Sequence, residues 1–325
     1  MSIARIVIAT DFRPSSRVTL EHAAMLAARF ASELHILHVV PDARGESWAS
    51  DAASASIDLD ALTEDWIRDA ERTLQRMAEP LRSTLDVRTA TRVGAVPDEI
   101  LAYTQGNAID LVVLGVAADS LKGGWLHSGV AERVARKSPC LVLTVADRGG
   151  VRPTAAIRRM LIAVDFNAHA DEALTTGLAL AAGLGASVHV LHVFSPPWVW
   201  NAAYLPPPAD LVAEILSLIQ RKLATDVSHR HDGRLDVRTI VRVGKPASEI
   251  LDYAKEAAVD LLVVGTHGRQ IVGRLILGSV AETLLRRAPC PVLTLHAGAR
   301  GAGFGGSAHA AVGAARSEIG SELPS

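Results

Sequence analysis

The chain carries most of its sequence twice. IVIATDF at 6–12 returns as LIAVDF at 161–166, LHILHVV at 34–40 as VHVLHVF at 188–194, and DVRTATRVG at 86–94 as DVRTIVRVG at 236–244. EILAY (99–103), IDLVVLG (109–115) and VAERVARKSPCLVLTV (130–145) return in the same order as EILDY (249–253), VDLLVVG (259–265) and VAETLLRRAPCPVLTL (280–295). The spacing between copies falls from 154 residues at Asp11/Asp165 to 150 at Cys140/Cys290, so the first copy carries four residues more. Six blocks in one order exclude coincidence. The repeating unit is about 140 residues, enough for a core of its own in each copy.

Inside each unit the periodicity alternates. RIVIAT, LVVLG and CLVLTV are short β-branched runs, which read as parallel strands buried on both faces. Between such runs lie amphipathic Ala/Leu-rich stretches, among them 16–30 and 171–185, the second closed by Gly185 at a helix C-cap position. The alternation implies an α/β fold: two tandem flavodoxin-like or Rossmann-like domains, each a doubly wound, five-stranded parallel sheet with right-handed connections. Ligands of such sheets bind at the carboxyl ends of the strands, where the strand order reverses. The expected layout is a domain at 1–146, a Gly/Pro-containing linker at 147–156, a second domain at 157–297, and a Gly/Ala/Ser-rich disordered tail at 298–325.

Composition removes several classes. A formal net charge of −2 lacks the basic footprint of a nucleic-acid or anionic-membrane binder. Aromatics make up 4%, too few for a base-stacking surface, and two cysteines form no disulfide framework. The opening apolar run is too short for a signal peptide, and no stretch of about 18 apolar residues spans a membrane. A cytoplasmic protein is the expectation.

The chemistry-bearing segment is GTHGRQIVGRLILGSVAE at 265–282, where Gly265, Gly268 and the Gly278–Ser279 pair are separated by two and nine residues. Glycines serve where backbone must approach an anion closely. Gly278 and Ser279 stand just before a helix whose first N–H groups and positive dipole end face the loop, a ready phosphate site. The spacing is not that of a Walker A loop. Backbone amides would do most of the gripping, with His267 and Arg269 beside them. Ser279-x-x-Glu282 also reads as a ligand-independent capping box. Asp165 likewise reads as a cap, and Arg269 and Arg274 as solvated charges.

On these residues the chain resembles a tandem universal stress protein, and Gly-2x-Gly-9x-Gly-Ser is the nucleotide motif of that family's ATP-binding branch. The resemblance covers both units but not the linker or tail. It implies that Asp165 contacts adenine, with Val193 on the other side of the base. It further implies that Gly265, His267, Gly268 and Arg269 hold ribose and phosphates, and that Gly278, Ser279 and Val280 form the anchoring turn. The implied ligand is ATP with Mg²⁺. The implied assembly pairs the two units as an internal dimer through residues 141–145 and 291–295, with a further homodimer and a regulated protein partner as extensions.

The first unit departs from the motif in GVAADSLKGGWLHSGVAE at 115–132. Gly115 survives, but Ala118 replaces the second glycine, Asp119 replaces Arg269, and Ser128–Gly129 reverses the Gly–Ser order. A carboxylate where phosphates belong is unfavourable. Asp11 and Val39 leave a partial adenine pocket at most, so one competent site per chain is expected.

Other residues invite readings of their own. His35/His38 and His189/His192 are three apart within strands, so each pair points to opposite faces, which argues against a shared metal and for structural roles near the sheet edge. Cys140 and Cys290 occupy equivalent positions before the last strands and read as core. SPPWVWNAAYLPPPAD at 195–210, with Trp198, Trp200 and Tyr204, reads either as a stiff flap over the base or as a loop packed on the first unit. No nucleophile–base–orienter set appears, and a backbone cradle alone positions no attacking water. A nucleotide-dependent regulator is the preferred reading. A slow ATP hydrolase or nucleotide-processing enzyme, and a nucleotide-free scaffold, are the alternatives.

Overall fold

The computed structural model describes residues 2–14, 16–45, 58–117, 129–147, 156–166, 168–201, 204–231, 233–266 and 277–295. The tail at 298–325 lies outside them. The first unit runs β1 (Arg5–Ala9), α1 (Ser16–Phe30), β2 (Glu33–Val40), α2 (Leu59–Ala78), β3 (Val87–Val93), α3 (Val96–Gly106), β4 (Leu111–Ala117), α4 (Gly129–Lys137) and β5 (Leu141–Asp147). The second repeats it as β6 (Arg159–Val164), α5 (Ala168–Leu184), β7 (Ser187–Phe194), the one-turn α6 (Pro197–Trp200), α7 (Ala209–Ser228), β8 (Val237–Val243), α8 (Pro246–Glu256), β9 (Leu261–Gly265), α9 (Ser279–Arg287) and β10 (Val292–Leu295).

All strands form one ten-stranded sheet in the order β3-β2-β1-β4-β5-β10-β9-β6-β7-β8. Pairing is parallel within each unit. Between them β5 and β10 run antiparallel, with Leu293 opposite Leu143. Thr144 and Thr294 reinforce this seam, each hydroxyl donating to a carbonyl across it (Val292 at 3.2 Å, Val142 at 3.3 Å).

Strand residues alternate between two helical layers, as the side-chain period of two requires. Ile6 and Ile8 face a core shared with α1, α2, α5 and α7; Val7 faces one shared with α3, α4, α8 and α9. Each core draws residues from both units, so the layers continue across the seam. A Cβ on Gly183 of α5 would come 2.7 Å from the Phe30 ring of α1, which marks how closely these helices pack.

Two acidic residues fasten the first strand of each unit. Asp110, just before β4, accepts the amides of Ala4 and Arg5 (2.8 and 3.0 Å), and Asp260, before β9, accepts those of Arg158 and Arg159 (both 2.9 Å). Charge-assisted bonds of this kind are stronger than neutral ones. The helix ends differ instructively. Gly185 follows α5 with φ of 71°, whereas its counterpart Ala31 follows α1 with φ of 53°, a left-handed geometry in which a Cβ costs about 1 kcal/mol. Both ends carry the same closing bond, Ser32 N–H to Ala27 and Ala186 N–H to Ala181.

Candidate functional site

The strand order reverses between β1 and β4 in the first unit and between β6 and β9 in the second. Each reversal opens a crevice at the carboxyl ends of the strands, the place where doubly wound sheets take ligands. In the second unit Asp165 directly follows β6, Val193 is the penultimate residue of β7, and Gly265 ends β9. Val193 is buried, and Asp165 is half-buried. His267, Gly268, Arg269 and Arg274 lie outside the described residues.

The chain returns to this edge at Gly278, whose N–H donates to the Thr266 carbonyl at 2.9 Å. Thr266 is fully buried, and both its N–H and its hydroxyl donate to the Leu295 carbonyl (2.9 and 3.0 Å). The start of α9 is thereby pinned against the end of β9. Here the capping-box reading of Ser279 is corrected. The N-cap is Gly278, extended at φ −63° and ψ 144°, with no side-chain cap; Ser279 is already the first helical residue. A box needs its serine one position earlier. The amides of Ser279 and Val280 have no intrahelical acceptor and, among the described residues, no capping side chain, and the helix dipole places positive potential there.

The turn carrying Asp165 is unusual. Phe166 adopts φ of 59°, and Phe12, after Asp11, adopts 61°. For an aromatic residue this costs about 1–2 kcal/mol and is held by its surroundings. His192 donates from Nδ1 to the Val164 carbonyl (2.9 Å), and its ring packs on Phe166 with centroids 4.3 Å apart. Lys222 Nζ lies 5.0 Å from the Phe166 ring centre. In the first unit His38 bonds the Thr10 carbonyl at 2.8 Å and stacks on Phe12 at 4.1 Å.

Elsewhere the first crevice differs. Asp11 accepts the Ser16 hydroxyl (2.6 Å) and the Arg13 amide (3.1 Å), and the Arg13 guanidinium lies 3.4 Å away. Ser16 and Arg13 are matched in the second unit by Ala170 and Asn167, which carry no hydroxyl and no guanidinium. β4 continues through Val116 to Ala117, opposite Asp147, where the second unit leaves the strand at Thr266. Gly115 has a packing reason of its own, since a Cβ there would meet the Thr19 hydroxyl at 2.7 Å. Ala118, Asp119 and Ser128 lie outside the described residues.

The remaining sequence candidates lie away from this edge or make contacts within the fold. The strand spacing holds: His35 and His189 point away from the His38 and His192 contacts and meet Tyr103 and Tyr253, each Nδ1 2.8 Å from the phenol oxygen. Arg92 and Arg242 lie over these tyrosine rings at 5.6 and 4.7 Å. Burial lowers the pKa of both histidines and raises those of both tyrosines, with Glu33 partly opposing the shift at His35 and Arg159 and Arg238 adding to it at His189. All four histidines lie on β2 and β7, one strand in from the sheet edges. Among the described residues no group of three His, Cys, Asp or Glu is placed to hold a metal ion. Cys140 is buried and Cys290 half-buried. In the 195–210 segment, Trp198 packs edge-on against Phe194 at 6.2 Å, while Tyr204 and Leu205 are 58% and 84% exposed. Among the described residues no helix is long and apolar enough to cross a membrane.

Comparison with known proteins gives this geometry a family. A model of the universal stress protein family matches residues 2–146 and again 156–296. The chain belongs to the universal stress protein family. A universal stress protein of Bacillus subtilis is 30% identical over 142 residues, which is 42% of this chain and 96% of that one. One of Thermus aquaticus is 32% identical over 138 residues, with the same shares. Each of these relatives is therefore the size of one unit. Among solved structures, a universal stress protein from Archaeoglobus fulgidus covers 91% of this chain and 99% of its own, at 21% identity and a TM-score of 0.66, a likeness of fold. The chain is thus two family units in one sheet.

Proposed function

We propose that the second unit binds ATP and that the chain acts as a cytoplasmic, nucleotide-dependent regulator. The single observation that carries this reading is the start of α9: a helix N-terminus with no side-chain cap among the described residues, tied by Gly278 to Thr266 at the strand-order reversal. Together with the Gly265–Gly268–Gly278–Ser279 spacing, it offers main-chain donors where a phosphate chain would end. Asp165 and Val193 stand where a base would lie, at the ends of β6 and β7. Gly265, His267, Gly268 and Arg269 would hold ribose and phosphates; Gly278, Ser279 and Val280 would anchor the turn. Mg²⁺ would enter on the phosphate oxygens and neutralise part of their charge. The proposed internal dimer is the β5–β10 seam, and a regulated protein would read the loop that ATP orders.

Donors in fixed positions favour bound phosphate without activating water, so rapid hydrolysis is not part of the proposal. The test is to denature the purified chain, identify the released nucleotide, and melt the protein with and without ATP. ATP at a hundredfold excess over its Kd is expected to add about 2.7 kcal/mol of stability. No nucleotide and no ATP-dependent rise in Tm would favour a scaffold; turnover well above one per minute that is lost in Ser279→Ala would favour an enzyme.

A further inference from the structure

We propose that His192 is a positioning residue for base recognition in the second unit, because one imidazole holds both residues that flank Asp165. The proposal rests on the reading of that crevice as an adenine-nucleotide site. Nδ1 of His192 lies 2.9 Å from the Val164 carbonyl. A carbonyl can only accept, so Nδ1 carries the proton. The same ring packs against Phe166 at 4.3 Å. Val164 and Phe166 are the immediate neighbours of Asp165, so the histidine grips a three-residue turn at both ends.

The grip has something to oppose. Phe166 sits at φ of 59°, a left-handed conformation that a residue with a Cβ leaves when nothing holds it. Lys222 adds a further contact to the Phe166 ring at 5.0 Å, and its ammonium is itself fixed by Asp226 at 3.0 Å. The first unit repeats the arrangement around Asp11, with His38, Thr10 and Phe12 in the corresponding roles and φ of 61° at Phe12. The repeat makes His38 an internal control: the same local contacts, in a crevice that lacks the glycine motif.

The consequence is selectivity. A carboxylate accepts hydrogen bonds and so favours the exocyclic amine of adenine and disfavours the 6-oxo group of guanine. That discrimination holds only while the carboxylate is held in place. His192 therefore acts through Asp165 on the choice of base.

The experiment is titration calorimetry of ATP and GTP, separately, into the full chain carrying His192→Ala, His192→Asn or His38→Ala. In His192→Ala the ATP affinity is expected to fall about tenfold, and the preference for ATP over GTP to shrink with it. His192→Asn keeps an N–H donor toward Val164 and is expected to recover part of both. His38→Ala is expected to lower Tm by a similar amount while leaving affinity and preference at wild-type values. A wild-type ATP-to-GTP ratio in His192→Ala, or an equal loss in His38→Ala, overturns the positioning role. Should His192→Ala fail to fold, His192→Phe, which keeps a ring against Phe166 but has no N–H for the Val164 carbonyl, takes its place, and a wild-type ratio in it overturns the role. If the wild-type chain binds no ATP, the site reading falls and the role falls with it; binding with no effect at His192 overturns the role alone.

Discussion

The two crevices of this molecule are built on one turn and finished differently. Each has an acidic residue after its first strand, an aromatic residue in a left-handed conformation, and a histidine that bonds the carbonyl before the acid. Beyond that turn they part. In the first unit β4 runs on to Ala117, and Asp11 accepts a bond from the Ser16 hydroxyl, which the matching Ala170 does not possess. In the second the chain leaves the strand at Thr266, whose carbonyl accepts the Gly278 N–H, although α4 and α9 themselves begin at equivalent residues, Gly129 and Ser279. The shared turn positions an acidic residue in both units, so it does not by itself distinguish them. In the proposed reading, what sets the second unit apart is the loop between the fourth strand and the last helix, where Gly268, Arg269 and Gly278–Ser279 stand against Ala118, Asp119 and Ser128–Gly129.

That comparison can be broken most sharply at the loop. Gly268→Ala, which writes the first unit's residue into the second, is expected to weaken ATP about a hundredfold by calorimetry while Tm in the absence of ligand stays near wild type. The reciprocal Ala118→Gly is expected to create no second site, because Asp119 and the reversed Ser128–Gly129 pair remain. A smaller, symmetric effect should follow at the strand clamps. Asp110→Ala and Asp260→Ala each remove a carboxylate that accepts two amides, and each should cost about 2 kcal/mol in urea unfolding. Clearly unequal losses would contradict the equivalence of the two scaffolds.

The helix ends offer an asymmetric test. Gly185→Ala should destabilise by about 1 kcal/mol, and Ala31→Gly should stabilise by about 0.5 kcal/mol, since only the second relieves a Cβ at positive φ. The smallest expected effect is in pH. Burial lowers the pKa of His35 and His189, so below the ordinary histidine value, near 6.5, the unfolded chain binds more protons than the folded one. Stability is then full above that value and falls as pH drops through it toward the folded values. His189→Gln should flatten that acid-side slope in pH-dependent melts; an unchanged slope would remove His189 from the account.

Much of this architecture was legible because it rests on local pattern. The 16–30 helix has the observed bounds, and the β-branched runs are buried parallel strands. Gly185 takes the positive φ that its helix-closing position requires, although α5 begins three residues before the expected Asp171. What stayed hidden depends on residues distant in sequence. Nothing near Asp110 or Asp260 announces that their partners lie about a hundred residues away, at the entrance to the first strand. Ala31 carries no sign of a left-handed conformation that its neighbours impose. The sequence assigns His38 and His192 a structural role near the sheet edge, but their contacts with Phe12 and Phe166 depend on left-handed turns that no local pattern announces. The capping box misled for a physical reason: Ser-x-x-Glu is the same string whether serine is the cap or the first helical residue, and here the extended backbone at Gly278 decides. Of the nine residues expected to hold nucleotide, Asp165, Val193, Gly265, Gly278, Ser279 and Val280 fall on the second crevice or on the helix start tied to it. His267, Gly268 and Arg269 lie outside the described residues.

The most direct test is a crystal structure of the full chain grown with ATP and Mg²⁺. The account predicts one adenylate per chain, its base between the ends of β6 and β7 and its phosphates against the start of α9. Density for nucleotide in the β1–β4 crevice, or in neither crevice at saturating ATP, would contradict it.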